Sequence, residues 1–452
     1  MSSTPLSIPP PPAVPAPLTR PRRRRWPYVL GIVALLLGLL VIASLDEPPP
    51  DLSDLTFEPL PLAPSENAYV LLTAAAERAQ QLLPLTDEDR DALDSFLDGE
   101  AWNDAKISAW MTTLSPVWPE WERAAHTPLS QAPILHSPSD LIPEVGLIQN
   151  LSNLSRLRAL KSLNDGRPDE AIAIALLTME AGLRLEQSRG SLITYLSGSA
   201  IKTKACEVIT KAARNPASSS LVLKETPQKI AALRSSTEAL GYSFRSEIYL
   251  LNGVLRLTKE KGISALPDIQ EPAFMRLAAH FPLSNKPNKT RRLHAESVRE
   301  ALTYLNANSV KSKIYGETLA TRHANLFLLN PNNFMGTIVL RIVVPAWPTI
   351  IRSYATSQSR LSATQALLAA LLYQRDHGTP PASLDALVPA YLSAIPRDYA
   401  TGTALRYSAE LGVIWSAGEN NLILTSRDQN TEPRDVILWL VEPTVVTETP
   451  TP

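Results

Sequence analysis

Three acidic side chains at alternate positions, Asp87, Asp89 and Asp91, open the stretch DEDRDALDSFLD. Oxygen ligands at positions one, three and five are how a twelve-residue calcium loop begins. The spacing then fails. The sixth position needs a glycine for its sharp turn and holds Ala92, the eighth is Asp94 rather than an apolar residue, and the twelfth offers the shorter Asp98 in place of glutamate. The run reads instead as an acidic first helical turn, favourable against the positive end of a helix dipole. The histidines, at 126, 136, 280, 294, 323 and 377, form no His-x-x-x-His pair. No serine sits in a nucleophile elbow and no glycine loop could cradle a phosphate. Cys206 is the only cysteine, which excludes an intramolecular disulfide and any cysteine zinc site. It lies beside a helical apolar face of Ile201, Ala205, Val208 and Ile209, as a small core residue would. No catalytic, cofactor-binding or metal-binding residue is assigned, and no cofactor is expected.

Two clusters could bind without reacting. Trp102, Trp110, Trp118 and Trp121 crowd one short stretch, and the first two, eight apart, share a helical face. Packing between helices is the reading; an aromatic platform for a glycan is the alternative. Lys286, Lys289, Arg291, Arg292 and His294 form a basic run, read as a solvated loop with phospholipid headgroups as the functional alternative. Nucleic acid is not an expected partner, because five arginines without an acid lie in residues 1–45 and leave the rest net acidic.

These residues need elements to hold them, and composition favours helices: glycine is scarce at 17 residues and Ala/Leu-rich runs are long. Residues 26–45, WPYVLGIVALLLGLLVIASL, are uncharged and read as a transmembrane helix of ~30 Å, with the lipid bilayer as partner. Arg22, Arg23, Arg24, Arg25, Trp26 and Tyr28 are the membrane-flanking residues, which by the positive-inside rule leaves the N-terminus cytoplasmic and the body outside. A cleaved leader ending near Val41–Ala43 is the alternative. The proline-rich tail 1–25 reads as disordered, and 46–65, again proline-rich, as a stiff spacer.

Helical patterning starts at Ser65, the expected cap of ENAYVLLTAAAERAQQLL, and Thr86 caps the next helix with Asp89 at its third position. LRALKSLNDGRPDEAIAIALLTMEAGLRLEQ reads as two helices joined at NDGRP, Gly166 closing one and Pro168 opening the other. The hairpin resembles one tetratricopeptide unit, but no second copy follows at a period near 34 residues, so a helix pair within a bundle is expected. The apolar run at 336–351 carries Arg341, Pro345 and Pro348 and reads as a buried helix entry.

After the greasy helix face of Leu361, Leu367, Leu368, Leu371 and Leu372, His377–Gly378 closes the helix and Pro380–Pro381 forbids its continuation. A turn through Asp398 and Gly402 leads to a strand at Ala404–Tyr407, with GVIWSAG, NLILTS and DVILWLV as further short strands. YQRDHGTPPASLDALVPAYLSAIPRDYATGTALRYS resembles the C-terminal part of a type II secretion major pseudopilin. The resemblance covers about 85 residues and implies a helix packed on a small antiparallel sheet and a bacterial envelope protein. It departs from that family in having no peptidase site before the module helix, so neither processing nor polymerisation is implied. Where the family's calcium loop is rich in aspartate, this chain has SAGENN, Ser416 to Asn421, with Glu419 its only charge and Asp428 beyond it.

The expected fold is mainly α: an N-terminal transmembrane helix, an α-helical ectodomain over 66–355, a pseudopilin-like α+β module over 356–445 and a disordered tail at 446–452. The expected location is the bacterial cytoplasmic membrane with an extracytoplasmic body. The expected role is a structural or protein-interaction protein with a protein partner. A hydrolase or glycan-binding protein with its site among the helices, and an accessory part of a secretion or pilus-like machine, are the alternatives.

Overall fold

A computed structural model describes residues 26–137, 140, 142–261, 285–305, 333–344, 347–418, 421–426, 429, 431 and 435–441. The chain divides into two compact units, Met1–Leu45 and Asp46–Pro452.

In the first unit, helix α1 runs Trp26–Ser44. Its apolar side chains are exposed, Trp26 and Tyr28 among them. The transmembrane helix expected here is corrected: no helix among the described residues is long and apolar enough to cross a membrane. Trp26, Pro27 and Tyr28 fill the first turn and Ala43 and Ser44 the last. The aliphatic stretch between them, Val29 to Ile42, rises only ~21 Å against a hydrocarbon core of ~30 Å. Arg22, Arg23, Arg24 and Arg25, with both expected tails, lie outside the described residues.

The second unit is helical with one small sheet. Helix α2 (Ala68–Leu82) is capped by Asn67, whose side chain accepts from the Tyr69 amide; Ser65, the expected cap, lies in a preceding 3₁₀ turn. Helix α3 (Asp87–Asp98) has the predicted capping box between Thr86 and Asp89. Helix α4 (Asp104–Thr113) carries Trp110 and α5 (Trp118–His126) carries Trp118 and Trp121, with Trp102 just before α4. Helices α6 (Pro143–Asn164) and α7 (Pro168–Glu186) form the expected hairpin, with Gly166 at φ 77° and Pro168 in the first turn of α7. Then come α8 (Leu192–Ala213), α9 (Ser220–Ala232) and α10 (Thr237–Lys261). They are followed by α11 (Pro287–Leu305), α12 (Phe334–Val343) and α13 (Trp347–His377).

Helices α7 and α8 pack as closely as backbones allow. A Cβ on Gly182 would stand 2.7 Å from the Gly198 carbonyl, and one on Gly198 would meet the Gly182 carbonyl closer still. Around this crossing lies a core drawn from α6 to α9, α13 and the sheet. A second cluster joins α2 to α7, and a third joins α10, α11 and the first turns of α13. At 31 residues, α13 is the spine: Trp347 and Ile351 belong to the third cluster, Leu361 to Leu372 to the first. Residue 356, where the sequence places the start of the module, is inside this helix. The apolar run at 336–351 is split between α12 and α13, with Trp347 buried; Pro345 is outside the described residues.

The sheet is antiparallel in the order β1 (Arg406–Ser408), β2 (Val413–Trp415), β3 (Ile437–Trp439). Tyr407 faces Ile414, and Ile414 faces Leu438, so one face of the pleat lies on α13. Val413 and Trp415 point to the other face, where they cover Leu424. The strand expected in NLILTS is not formed over residues 422–426. The Leu422 carbonyl is instead taken by the Arg406 guanidinium at 3.0 Å and the Trp415 indole at 3.1 Å, both side chains of the neighbouring strands. Asp398 ties sheet to helix. Its buried carboxylate accepts from Ser359 Oγ of α13 (3.0 Å), Ser416 Oγ (2.7 Å) and the amides of Ala417 (2.9 Å) and Ala400 (3.0 Å).

The segment read as a stiff spacer is packed on the helices. Leu55 is in the third cluster, and Tyr249 of α10 both donates to and accepts from the Phe57 backbone. Asp46 accepts from the amides of Asn288 and Lys289 in the first turn of α11, where a carboxylate meets the positive end of the helix dipole.

Candidate functional site

Four residues of α10, Tyr249, Asn252, Arg256 and Lys259, recur at intervals of three and four and so share one face of that helix. They line a cavity of about 550 Å³ with Arg291 of α11 and His136 of the segment between α5 and α6. The loop reaches α10 because residue 253 is glycine: a Cβ there would run into the His136 carbonyl. The His136 ring lies edge-on to Tyr249, 5.8 Å between centroids. Asp140 holds the loop by accepting from the amides of His136 (2.8 Å) and Ser137 (2.9 Å).

The charge of this cavity is one-sided. Arg291 donates to two amide oxygens, Asn252 Oδ1 and Asn288 Oδ1, each at 2.8 Å, and so is aimed without being neutralised. Among the described residues, neither Arg256, Lys259 nor Arg291 pairs with a carboxylate, and no carboxylate lines the cavity. Two guanidinium groups and an ammonium around a solvent-open space suit a phosphate or carboxylate, which guanidinium groups can bind with paired hydrogen bonds.

A second charged cluster is sealed. One turn beyond the glycine crossing, Lys202 Nζ meets Glu186 Oε2 at 2.6 Å with both side chains fully buried, and the same ammonium donates to the Leu233 carbonyl at 2.9 Å. Burial raises the Glu186 carboxyl above its ordinary range, and the Lys202 charge opposes that shift. The hydroxyls of Tyr195 and Ser235 crowd the pair without a well-directed hydrogen bond. Burial also pushes the Tyr195 phenol upward. With no exposed atom, the cluster serves the helix crossing and meets no substrate.

The residues singled out in the sequence mostly lie elsewhere. Asp87 and Asp89 lie in the acidic first turn of α3 and Asp91 follows in the next turn, and no group of three metal-ligating side chains occurs among the described residues. Glu419 and Asp428 are outside them. Trp110, Trp118 and Trp121 are buried in the second cluster, and Trp102 packs against it. Cys206 is buried in the central core, its thiol pushed up to about 11 by desolvation. The basic run is not a loop. It is the start of α11, where Lys286 and His294 are buried, Arg292 pairs with Glu47 at 2.7 Å, and only Arg291 enters the cavity. His280 and His323 are outside the described residues. Sequence reasoning missed Arg256 and Lys259, although their three-four spacing with Asn252 in YLLNGVLRLTK was the available signal.

No family model, no curated protein and no solved structure matches this chain.

Proposed function

We propose that this is a non-catalytic binding and scaffold protein, in which the α10–α11 cavity receives an anionic group of its ligand, a phosphate or a carboxylate. The observation that carries the reading is the cluster of Arg256, Lys259 and Arg291 around one open cavity that, among the described residues, has no lining carboxylate. Clustered cations repel one another, and a built site offsets that cost when an anion is bound. Asn252 and Asn288 fix the guanidinium of Arg291 in advance, which lowers the ordering cost of binding. Trp110, Trp118 and Trp121, being buried, offer no platform for a glycan. The pseudopilin-like ending supports an envelope location and an assembly role for the C-terminal module.

Calorimetric titration of the whole protein with inorganic phosphate and with citrate tests the reading. Binding that weakens by about tenfold or more in the Arg256→Glu, Lys259→Glu double variant, and falls with added salt, is the expected result. Both positions are exposed on α10, so the variant keeps the fold. Titrations that give no heat with either anion, or equal heats in the double variant, sink the reading.

A further inference from the structure

His136 borders a second cavity, of about 450 Å³, on the other side of its loop. This one is apolar where the first is cationic: Val70 and Tyr69 of α2, with Ala132, Pro133 and Ile134, form most of its wall. Several of its polar groups are already engaged. The Gln131 side chain accepts from the Leu60 amide at 3.0 Å and donates to the Ala132 carbonyl at 2.7 Å, while Tyr69 Oη donates to Glu144 Oε1 at 3.1 Å. Left over are the Thr73 hydroxyl, buried and without a partner among the described residues, the second Glu144 carboxylate oxygen and the His136 ring.

From this juxtaposition, and resting on the anion-binding reading above, we propose that the ligand is a single-chain amphiphile. Its phosphate or carboxylate head lies among Arg256, Lys259 and Arg291, and its aliphatic chain crosses beside His136 into the cavity walled by Val70 and Ile134. The chemistry of both walls selects this class. An extended peptide would bring an amide donor and acceptor at every residue, and the mainly apolar wall of the second cavity has too few free side-chain groups to pair with them all. A methylene chain makes no such demand and gains from leaving water. Orientation follows from charge: the Glu144 carboxylate repels an anionic head from the apolar cavity, and the three cations draw it to the other.

The test is titration of the full chain, below micelle-forming concentrations, with inorganic phosphate, dodecyl phosphate and the uncharged dodecyl maltoside. Dodecyl phosphate is expected to bind at least about tenfold more tightly than inorganic phosphate, or ~1.4 kcal/mol. Val70→Trp, at a position 39% exposed and therefore harmless to the core, fills the apolar cavity. It should remove that gain and leave inorganic phosphate binding unchanged. Arg256→Glu with Lys259→Glu should weaken both phosphates. Equal affinities for the two phosphates would overturn the amphiphile and leave the anion site standing. A dodecyl gain that survives Val70→Trp, or that dodecyl maltoside matches, would place the chain elsewhere on the protein and overturn it too. Tighter binding to anionic vesicles than to monomeric dodecyl phosphate would replace it with a membrane surface. If neither phosphate binds, the anion-binding reading itself falls.

Discussion

His294 lies fully buried in α11, its ring edge-on to Trp347 at 5.3 Å, and neither ring nitrogen has a hydrogen-bond partner among the described residues. Desolvation lowers its pKa from 6.5 to about 3. Glu247 of α10 is pushed the opposite way by burial, to about 7, and the Leu192 amide at the start of α8 offsets only part of that. The two groups act on stability with opposite signs. As pH falls from about 6.5 toward 3, the unfolded chain takes up a proton that native His294 refuses, and stability drops by up to roughly 5 kcal/mol. As pH rises from about 4.5 toward 7, native Glu247 keeps a proton that the unfolded chain has lost, and stability drops by up to roughly 3 kcal/mol. The slopes oppose each other between about 4.5 and 6.5, so a broad maximum is expected there. Denaturant midpoints measured across pH check this: Glu247→Gln should leave stability rising with pH up to about 6.5, and His294→Gln should leave it falling from about pH 4.5 to 7, so each variant tilts the compensated plateau in the opposite direction. A wild-type curve already flat from pH 3 to 7 would refute the burial of both.

At the scale of elements, the α7–α8 crossing shows what a buried ion pair is for. Gly182 and Gly198 bring two backbones together, and each is followed four residues later by one member of the pair, Glu186 or Lys202. Desolvating two charges costs several kcal/mol, so the pair contributes little net stability while remaining costly to break. Lys202→Met should therefore destabilise by about 3–5 kcal/mol, leaving Glu186 buried without its partner. Glu186→Leu combined with Lys202→Met should recover most of that loss, since apolar groups of similar volume often replace such a pair at no cost. Urea unfolding of the two single variants and the double variant gives the coupling; additive losses would mean that the two side chains do not act as a pair and would refute this reading.

What could be read in the sequence at this scale was local. The Thr86–Asp89 capping box and the Gly166–Pro168 helix junction depend on neighbours within three residues, and both formed as read. Asn67 displaced Ser65 as a cap because its amide nitrogen also donates to the Gln131 carbonyl, 64 residues away. NLILTS has strand composition, but side chains of β1 and β2 claim the Leu422 carbonyl. The apolar length of α1 looked sufficient as a string of uncharged letters, while the aromatic, proline and small residues at its ends shorten the aliphatic part. The cavity was illegible for the same reason as the strapped spacer. Its cations come from α10 and α11, and its histidine from a loop more than a hundred residues earlier.

Across the whole of Asp46–Pro452, the sheet has no core of its own on the side that matters. Ile414, Leu438 and Leu440 belong to the same cluster as Leu183 of α7, Ile209 of α8 and Leu367 of α13. The Arg214 guanidinium at the end of α8 donates to the Trp439 carbonyl of β3, and Arg375 donates to the Ala213 carbonyl that ends α8 and to the Asn215 carbonyl after it. A module held this way cannot melt while the helices stay folded. Helices and sheet should then unfold in one transition, with tryptophan fluorescence and helical circular dichroism changing together. Asp398 is where that coupling is concentrated, since its buried carboxylate joins α13 to the end of β2. Asp398→Ala leaves three hydroxyls, those of Ser359, Ser416 and Thr401, and two amides without their acceptor and should cost about 3–5 kcal/mol. The loss should shift both signals equally. A variant in which fluorescence melts early while the helical signal holds would mean that the C-terminal residues fold as a separate unit after all.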